Sequence, residues 1–255
     1  MPENFDHVDL TGARFRKVHL NDARFRMVDL SKAVLRDVSL AGASIDGSEL
    51  HGLRIDGVEV APLVEAELTR RYPARALGRA TDAAGLRAAW AAIEAAWAPV
   101  LDRAAALPAG SVDVSVEDEW SFAQTLRHLV FATDAWLGAV RGETRSFHPW
   151  SLPFSELPEF VDVPVTELGI DPDATPSYPE VLEVRADRVA RVRDFLAGVG
   201  PERLAEEVEG PLWEGGARLT VLRCLWVILN EELEHLRFAD RDLAAIGASS
   251  PAPVS

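Results

Sequence analysis

The chain has 255 residues, 48% of them hydrophobic, and a formal net charge of −15, so it is long enough for two small domains or one large one, with a buried core. An acidic balance of this size argues against a protein that tracks nucleic-acid phosphates and against one that lies on an anionic membrane. The single cysteine, Cys224, cannot form an intrachain disulfide, and neither a secretory leader nor a long uncharged apolar run is visible; a reducing cytoplasm is the expected compartment.

From residue 3 to residue 60 the chain keeps a period of five. Phe5, Leu10, Phe15, Leu20, Phe25, Leu30, Leu35, Leu40, Ile45, Leu50, Ile55 and Val60 fall on the beat, and Val8, Ala13, Val18, Ala23, Val28, Ala33, Val38 and Ala43 lie two residues before successive beats. A period of five fits neither a helix nor a strand, so it belongs to a solenoid that turns a corner in every unit. The pattern resembles the pentapeptide-repeat family. That resemblance implies a short right-handed quadrilateral β-helix over residues 1–62, about three coils long, whose inward positions fill a narrow core. Some members of that family mimic the shape and charge of DNA, but residues 1–60 hold ten acids against eight bases, which favours a capping or docking module with a protein partner at the β-helix.

After Val60 the rhythm stops. "APLVEAELTRRYPAR" reads as a short helix ending at Pro73, within a helical linker over 63–80. Long helical stretches separated by Pro- and Gly-rich loops follow. The first covers 83–107, with Trp90, Ile93 and Trp97 at helical spacing. The second covers 120–140 with Ser121 or Asp118 as its cap, and the third covers 178–199 after a connection of more than thirty residues. The last runs from about Leu219 to Ile246, between Gly215-Gly216 and Gly247. Four helices make one all-α bundle over 81–247, with a flexible tail at 248–255. The long connection is either an active-site cover or a crossover.

The last helix carries "NEELEHLRFADRDL", residues 230–243. On a helical wheel Arg223, Asn230, Glu234, Arg237 and Arg241 share one arc, the expected wet face. The opposite side holds the aliphatic residues, and with them Glu231, His235 and Asp242. A buried carboxylate needs a hydrogen bond, an ion pair or a metal. Glu231 and His235 stand one turn apart, a spacing at which both can reach one divalent ion if a third group arrives from another helix. Among the remaining histidines, His128 lies beside the apolar stripe of the second helix with small neighbours, and His148 lies in the long loop. The residues leave a second reading open, in which Glu231 pairs with Arg127 or Arg188.

"EWSFAQTLRHLVFATDAWL" followed about a hundred residues later by "NEELEHLRFADRDL" resembles the DinB-like (DinB/YfiT) superfamily. The resemblance implies a four-helix bundle with a divalent-metal site built from one histidine of the second helix and an H-x-x-x-H pair on the fourth. His128 takes the first role and His235 the later place of the pair. Glu231 stands where the family has the earlier histidine, a departure that adds negative charge to the site. Zinc is the expected ion, with nickel and iron as alternatives.

An open position on such an ion is where water or a thiol binds. Family members of known activity are thiol-dependent transferases and isomerases, so the resemblance implies a mycothiol-type S-transferase that joins a low-molecular-weight thiol to a small-molecule electrophile. Two alternatives use the same residues: a metal-dependent hydrolase, and a non-enzymatic docking protein with a degenerate site. His148 is a candidate further ligand or substrate contact. Trp120 is a candidate for the pocket mouth, and Arg237 and Arg241 are candidates for a carboxylated thiol. The family resemblance also implies a homodimer; no nucleic acid or membrane is expected as a partner.

Overall fold

Every fifth residue of the repeat turns a corner. In the computed structural model, which describes residues 4–46, 49–155 and 157–249, the backbone enters the left-handed region at His7, Gly12, Lys17, Asp22, Met27, Lys32, Asp37 and Gly42, each two residues after a beat. Alternate corners are closed by a hydrogen bond: the amides of Ala13, Ala23, Ala33 and Ala43 donate to the carbonyls of Leu10, Leu20, Leu30 and Leu40. At two of these corners Asp9 and Asp29 accept the amides of Thr11 and Ser31, each at 2.8 Å, turns that short acidic side chains favour. The beats themselves are exposed; Phe15 and Phe25 each keep 63% of their surface in water. Among the described residues 4–46 the beats are not drawn into the narrow core that the periodicity leads one to expect. The corners arise from bonds between near neighbours, whereas among the described residues 4–46 no strand ladder draws successive coils together.

The chain divides into two units between Glu49 and Leu50. The second begins with a hairpin, β1 (Arg54–Ile55) and β2 (Val58–Glu59), joined at Asp56-Gly57, where both residues are left-handed as a two-residue hairpin demands. Helix α1 (Ala61–Arg71) stops before Pro73 and passes into a 3₁₀ turn, Pro73–Leu77. Helix α2 (Ala83–Ala106) starts where the Asp82 carboxylate accepts the Gly85 amide at 2.8 Å. Helix α3 (Phe122–Arg141) is capped by Ser121 with Gln124 reaching back to the Ser121 amide, and it ends at left-handed Gly142. Ser121, rather than Asp118, is thus the cap.

A short helix α4 (Leu157–Phe160) lies in the long connection. Helix α5 (Tyr178–Gly198) begins where Glu180 accepts both the amide and the hydroxyl of Ser177. After α6 (Pro201–Ala205), strands β3 (Glu207–Glu209) and β4 (Arg218–Thr220) pair antiparallel, and β4 runs directly into α7 (Val221–Ser249).

Four long helices, α2, α3, α5 and α7, pack on one another. Helices α2 and α7 run in the same direction, tied by the Trp226 indole N–H on the Ala80 carbonyl near one end and Arg103–Asp240 near the other. Helix α3 is central: between Phe122 and Val140 only Gln124 and Arg127 are not buried. It packs on α5 and α7, and the 142–177 connection also folds against it, with the Leu152 amide on the Arg127 carbonyl and the His148 amide on Asp134. Leu157, Leu168 and Ile170 of that connection are core residues. The long segment thus contributes residues to the core and covers α3, which explains why α3 carries so little polar surface. Among the described residues no helix is long and apolar enough to cross a membrane.

Two buried ion pairs cross this core. Arg188 grips Asp134 with two nitrogens at 2.7 and 3.0 Å, and Arg185 meets Glu232 on α7, where burial pushes the carboxyl pKa up. Removing one partner of such a pair strands a charge in the core, at a cost of about 3–5 kcal/mol. Arg185→Met is therefore expected to lower unfolding stability by about that amount, with most of it recovered in Arg185→Met/Glu232→Leu. Urea denaturation of the three proteins checks this, and a double variant as unstable as the single one would contradict it.

Candidate metal centre

The last helix does not present the wet arc that its pattern suggests. Arg223 and Asn230 are exposed, but Glu234, Arg237 and Arg241 are half-buried, because the Tyr72–Leu77 segment and the loop before α3 lie against them. Arg75 bonds Glu234, the Tyr72 hydroxyl lies 3.3 Å from an Asp240 carboxylate oxygen, and Arg241 meets Glu119 at 2.7 Å. Arg237 is bonded to Glu234 and stacks on Phe238 at 4.3 Å, and Arg241 also holds Asp242. Both arginines belong to ion-pair networks on the rim.

His128 of α3 and Glu231 and His235 of α7 come together. One ligand atom from each lies within 4.8 Å of the others. The Glu231 carboxylate is 3.6 Å from His128 Nε2 and 3.5 Å from His235 Nδ1, and the two imidazole centroids are 4.8 Å apart. His128 is buried, whereas Glu231 retains 29% side-chain exposure, so the cluster opens to solvent on the carboxylate side.

Hydrogen bonding settles which ring atom carries the proton. His128 Nδ1 lies 3.0 Å from the Leu152 carbonyl, and His235 Nδ1 lies 2.9 Å from the Glu231 carbonyl. A carbonyl only accepts, so each Nδ1 is the N–H, and in the neutral rings each Nε2 is left with a lone pair. At His128 that lone pair looks toward a carboxylate oxygen. Two acceptors so placed repel each other unless a cation, either a proton or a metal ion, lies between them. Outer carbonyls that fix the tautomer are a recurrent support of metal-bound histidines.

The electrostatics agree with that geometry. Burial pushes the His235 pKa down to about 4, reinforced by His128, so this ring is neutral at pH 7. Burial would raise the Glu231 carboxyl, but a proton held between it and His128 outweighs burial, and its pKa lies below the ordinary carboxylate value.

Three further rings wall the cluster. The Trp120 indole stands 4.5 Å from the His128 ring and 6.3 Å from His235, Phe131 packs 5.9 Å from His128, and Phe238 meets His235 edge-on at 6.0 Å. His148 is not part of the group. Its Nδ1 accepts the Trp150 amide at 3.1 Å, and it lines a separate recess of about 240 Å³ with Asp134, Arg141 and Arg188. The arginines that were alternative partners for Glu231 are engaged elsewhere: Arg127 donates to the Trp150 carbonyl and Arg188 to Asp134. Sequence reasoning missed Glu232 and Asp134 as buried charges. It also missed the Leu152 carbonyl, for which a side-chain pattern holds no signal.

A family model described as the DinB superfamily matches residues 60–239, more than half of the chain. The chain belongs to the DinB superfamily. A pentapeptide-repeat model matches in eight copies over residues 4–37 and 23–58. Comparison with curated proteins and with solved structures returns no match. His128, Glu231 and His235 thus lie within the DinB segment.

The depressed His235 pKa has a consequence for the metal-free DinB domain. The unfolded ring takes a proton near pH 6.5 and the folded ring only near pH 4, so between those values the unfolded chain binds more protons. Stability must therefore fall as pH drops from about 6.5 to about 4, by up to about 3 kcal/mol. Chelator-treated wild type should show this slope in urea midpoints and His235→Asn should lose most of it; equal slopes would contradict the assignment.

Proposed function

We propose that the DinB domain is a divalent-metal-dependent transferase that activates a low-molecular-weight thiol of the mycothiol type at His128, Glu231 and His235. The observation that carries this reading is the convergence of two imidazoles and a carboxylate, one ligand atom of each within 4.8 Å of the others. The residues fit a zinc-type ion. Two borderline nitrogen ligands and one oxygen ligand, with the tautomers fixed by backbone carbonyls, are a common three-ligand set for an open site. When bound, the ion would supply the positive charge at which a thiol loses its proton.

The chain's own groups do the rest. His128 and His235, held by Leu152 and by the helix backbone, supply neutral donors without a proton to displace. Glu231 cancels one positive charge, which makes the centre less acidifying than an all-histidine set and more accommodating to zinc than to a soft ion. The Trp120, Phe131 and Phe238 rings keep water from the flanks, which strengthens electrostatic effects inside. In the transfer, the thiolate sulfur gives its electron pair to the electrophilic carbon, a C–S bond forms, and the leaving group departs with its pair. The thiol proton passes to solvent on the exposed Glu231 side.

For the two units we propose the four-helix bundle and the right-handed quadrilateral β-helix of their families. The second assignment is supported by the left-handed corner at every fifth residue.

Protein purified without a metal-affinity tag is expected to carry about one divalent ion per chain, as read by elemental analysis. With mycothiol and a panel of electrophiles, His235→Ala should lower the rate of thiol consumption at least about 100-fold, in keeping with loss of a metal ligand. Wild type and His235→Ala turning over at equal rates would remove the cluster from the chemistry.

A further inference from the structure

The turn that leads into α3 is strained at two successive residues. Glu117 and Asp118 both lie in the left-handed region, with φ of 52° and 62°, although neither is glycine. Such conformations persist only where the surroundings hold them, and they concentrate at working sites. Here the holding groups are on either side. The Ser115 hydroxyl bonds the Glu119 carbonyl, the Glu119 amide donates to Val116, and the Glu119 carboxylate is tied to Arg241 of α7 at 2.7 Å. Arg241 is itself fixed by Asp242 and lies over the Phe238 ring.

What this arrangement delivers is Trp120. The residue precedes the Ser121 cap, a place from which a large apolar side chain commonly packs on the first turn of its helix, against the fourth helical residue. In α3 that residue is Thr125. The indole lies beside the His128 ring at 4.5 Å, tilted by 37°, and near-parallel to His235 at 6.3 Å, so one aromatic side chain bridges candidate ligands from two different helices. Each imidazole is pinned by a backbone carbonyl at Nδ1, about which the ring can still swing. A flat neighbour beside both rings restricts that swing and holds the two imidazoles in place around the Glu231 carboxylate.

Resting on the metal reading given above, we propose that Trp120 is a positioning residue of the metal centre, pressed against His128 and His235 by the strained Glu117–Glu119 turn and latched through Glu119–Arg241. It ligates nothing and acts through the orientation of the two rings. Its contribution is therefore to ion affinity and to the symmetry of coordination.

The test uses the full-length, metal-free protein. Wild type, Trp120→Phe, Trp120→Leu and Glu119→Gln are titrated with zinc in a chelator competition assay, and with cobalt, whose visible spectrum reports coordination geometry. Trp120→Leu should bind zinc about 10- to 100-fold more weakly, the range for loss of an outer-shell support, with an altered cobalt spectrum. Trp120→Phe, which keeps a flat ring, should stay within about 3-fold of wild type by the same reasoning. Glu119→Gln, which leaves the indole in place but removes the latch, should weaken binding by about 10-fold. Wild-type affinity and spectrum in both Trp120→Leu and Glu119→Gln would overturn the proposal while leaving the metal centre intact. Absence of zinc and cobalt binding by wild type would instead overturn the metal reading, and this proposal with it. Should Trp120→Leu fail to fold, Glu119→Gln decides alone, since its change lies on the rim.

Discussion

The arrangement on which the rest depends is a cluster of two imidazoles and a carboxylate turned toward one another. His128 gives its ring proton to the Leu152 carbonyl and so points a lone pair at the Glu231 carboxylate, while His235 stands one helical turn away with its Nδ1 3.5 Å from the same carboxylate. In water such groups would drift apart. Between α3 and α7 they cannot, because His128 is fixed within a helix buried on nearly every side and Glu231 and His235 are fixed one turn apart on the helix beside it. Packing energy spread over the core thus maintains an arrangement that is locally repulsive until a cation enters it. That is a general route by which a fold pre-forms an ion site.

The architecture serves this end through α3. A helix with apolar residues on all sides needs cover on all sides, and the 142–177 connection supplies what the neighbouring helices do not. The same connection brings the Leu152 carbonyl to His128, so the segment that completes the core also sets the tautomer of a candidate ligand. The Asp134–Arg188 and Glu232–Arg185 pairs run across the interior at neighbouring levels. The Glu232 pair lies directly beside the cluster in sequence and compensates the adjacent carboxylate, so that Glu231 remains the charge available to an ion.

Within single elements the sequence was highly legible. The periodicities of Trp90, Ile93 and Trp97 and of the aliphatic residues in α7 located the long helices to within a few residues, and the i, i+4 spacing of Glu231 and His235 exposed their shared direction. What lay between elements was harder to read. Glu232 and Asp134 look like ordinary surface acids until Arg185 and Arg188 arrive from α5, and the expected wet arc of α7 is half-covered by the Tyr72–Leu77 segment, whose docking has no periodic signature. The repeat shows the same division. Its corners follow from local residue preferences and appear where the period puts them, while the inward packing of the beats depends on contacts between coils, and those beats are exposed.

The central claim is that the three side chains hold one ion through nitrogen and oxygen. X-ray absorption at the zinc edge of the zinc-loaded protein tests it directly. A shell of few nitrogen and oxygen neighbours near 2.0–2.1 Å with the multiple-scattering pattern of two imidazoles is predicted, and a sulfur neighbour near 2.3 Å should enter only when a thiol is added. A six-oxygen shell without imidazole, or sulfur present before any thiol is supplied, would contradict the account.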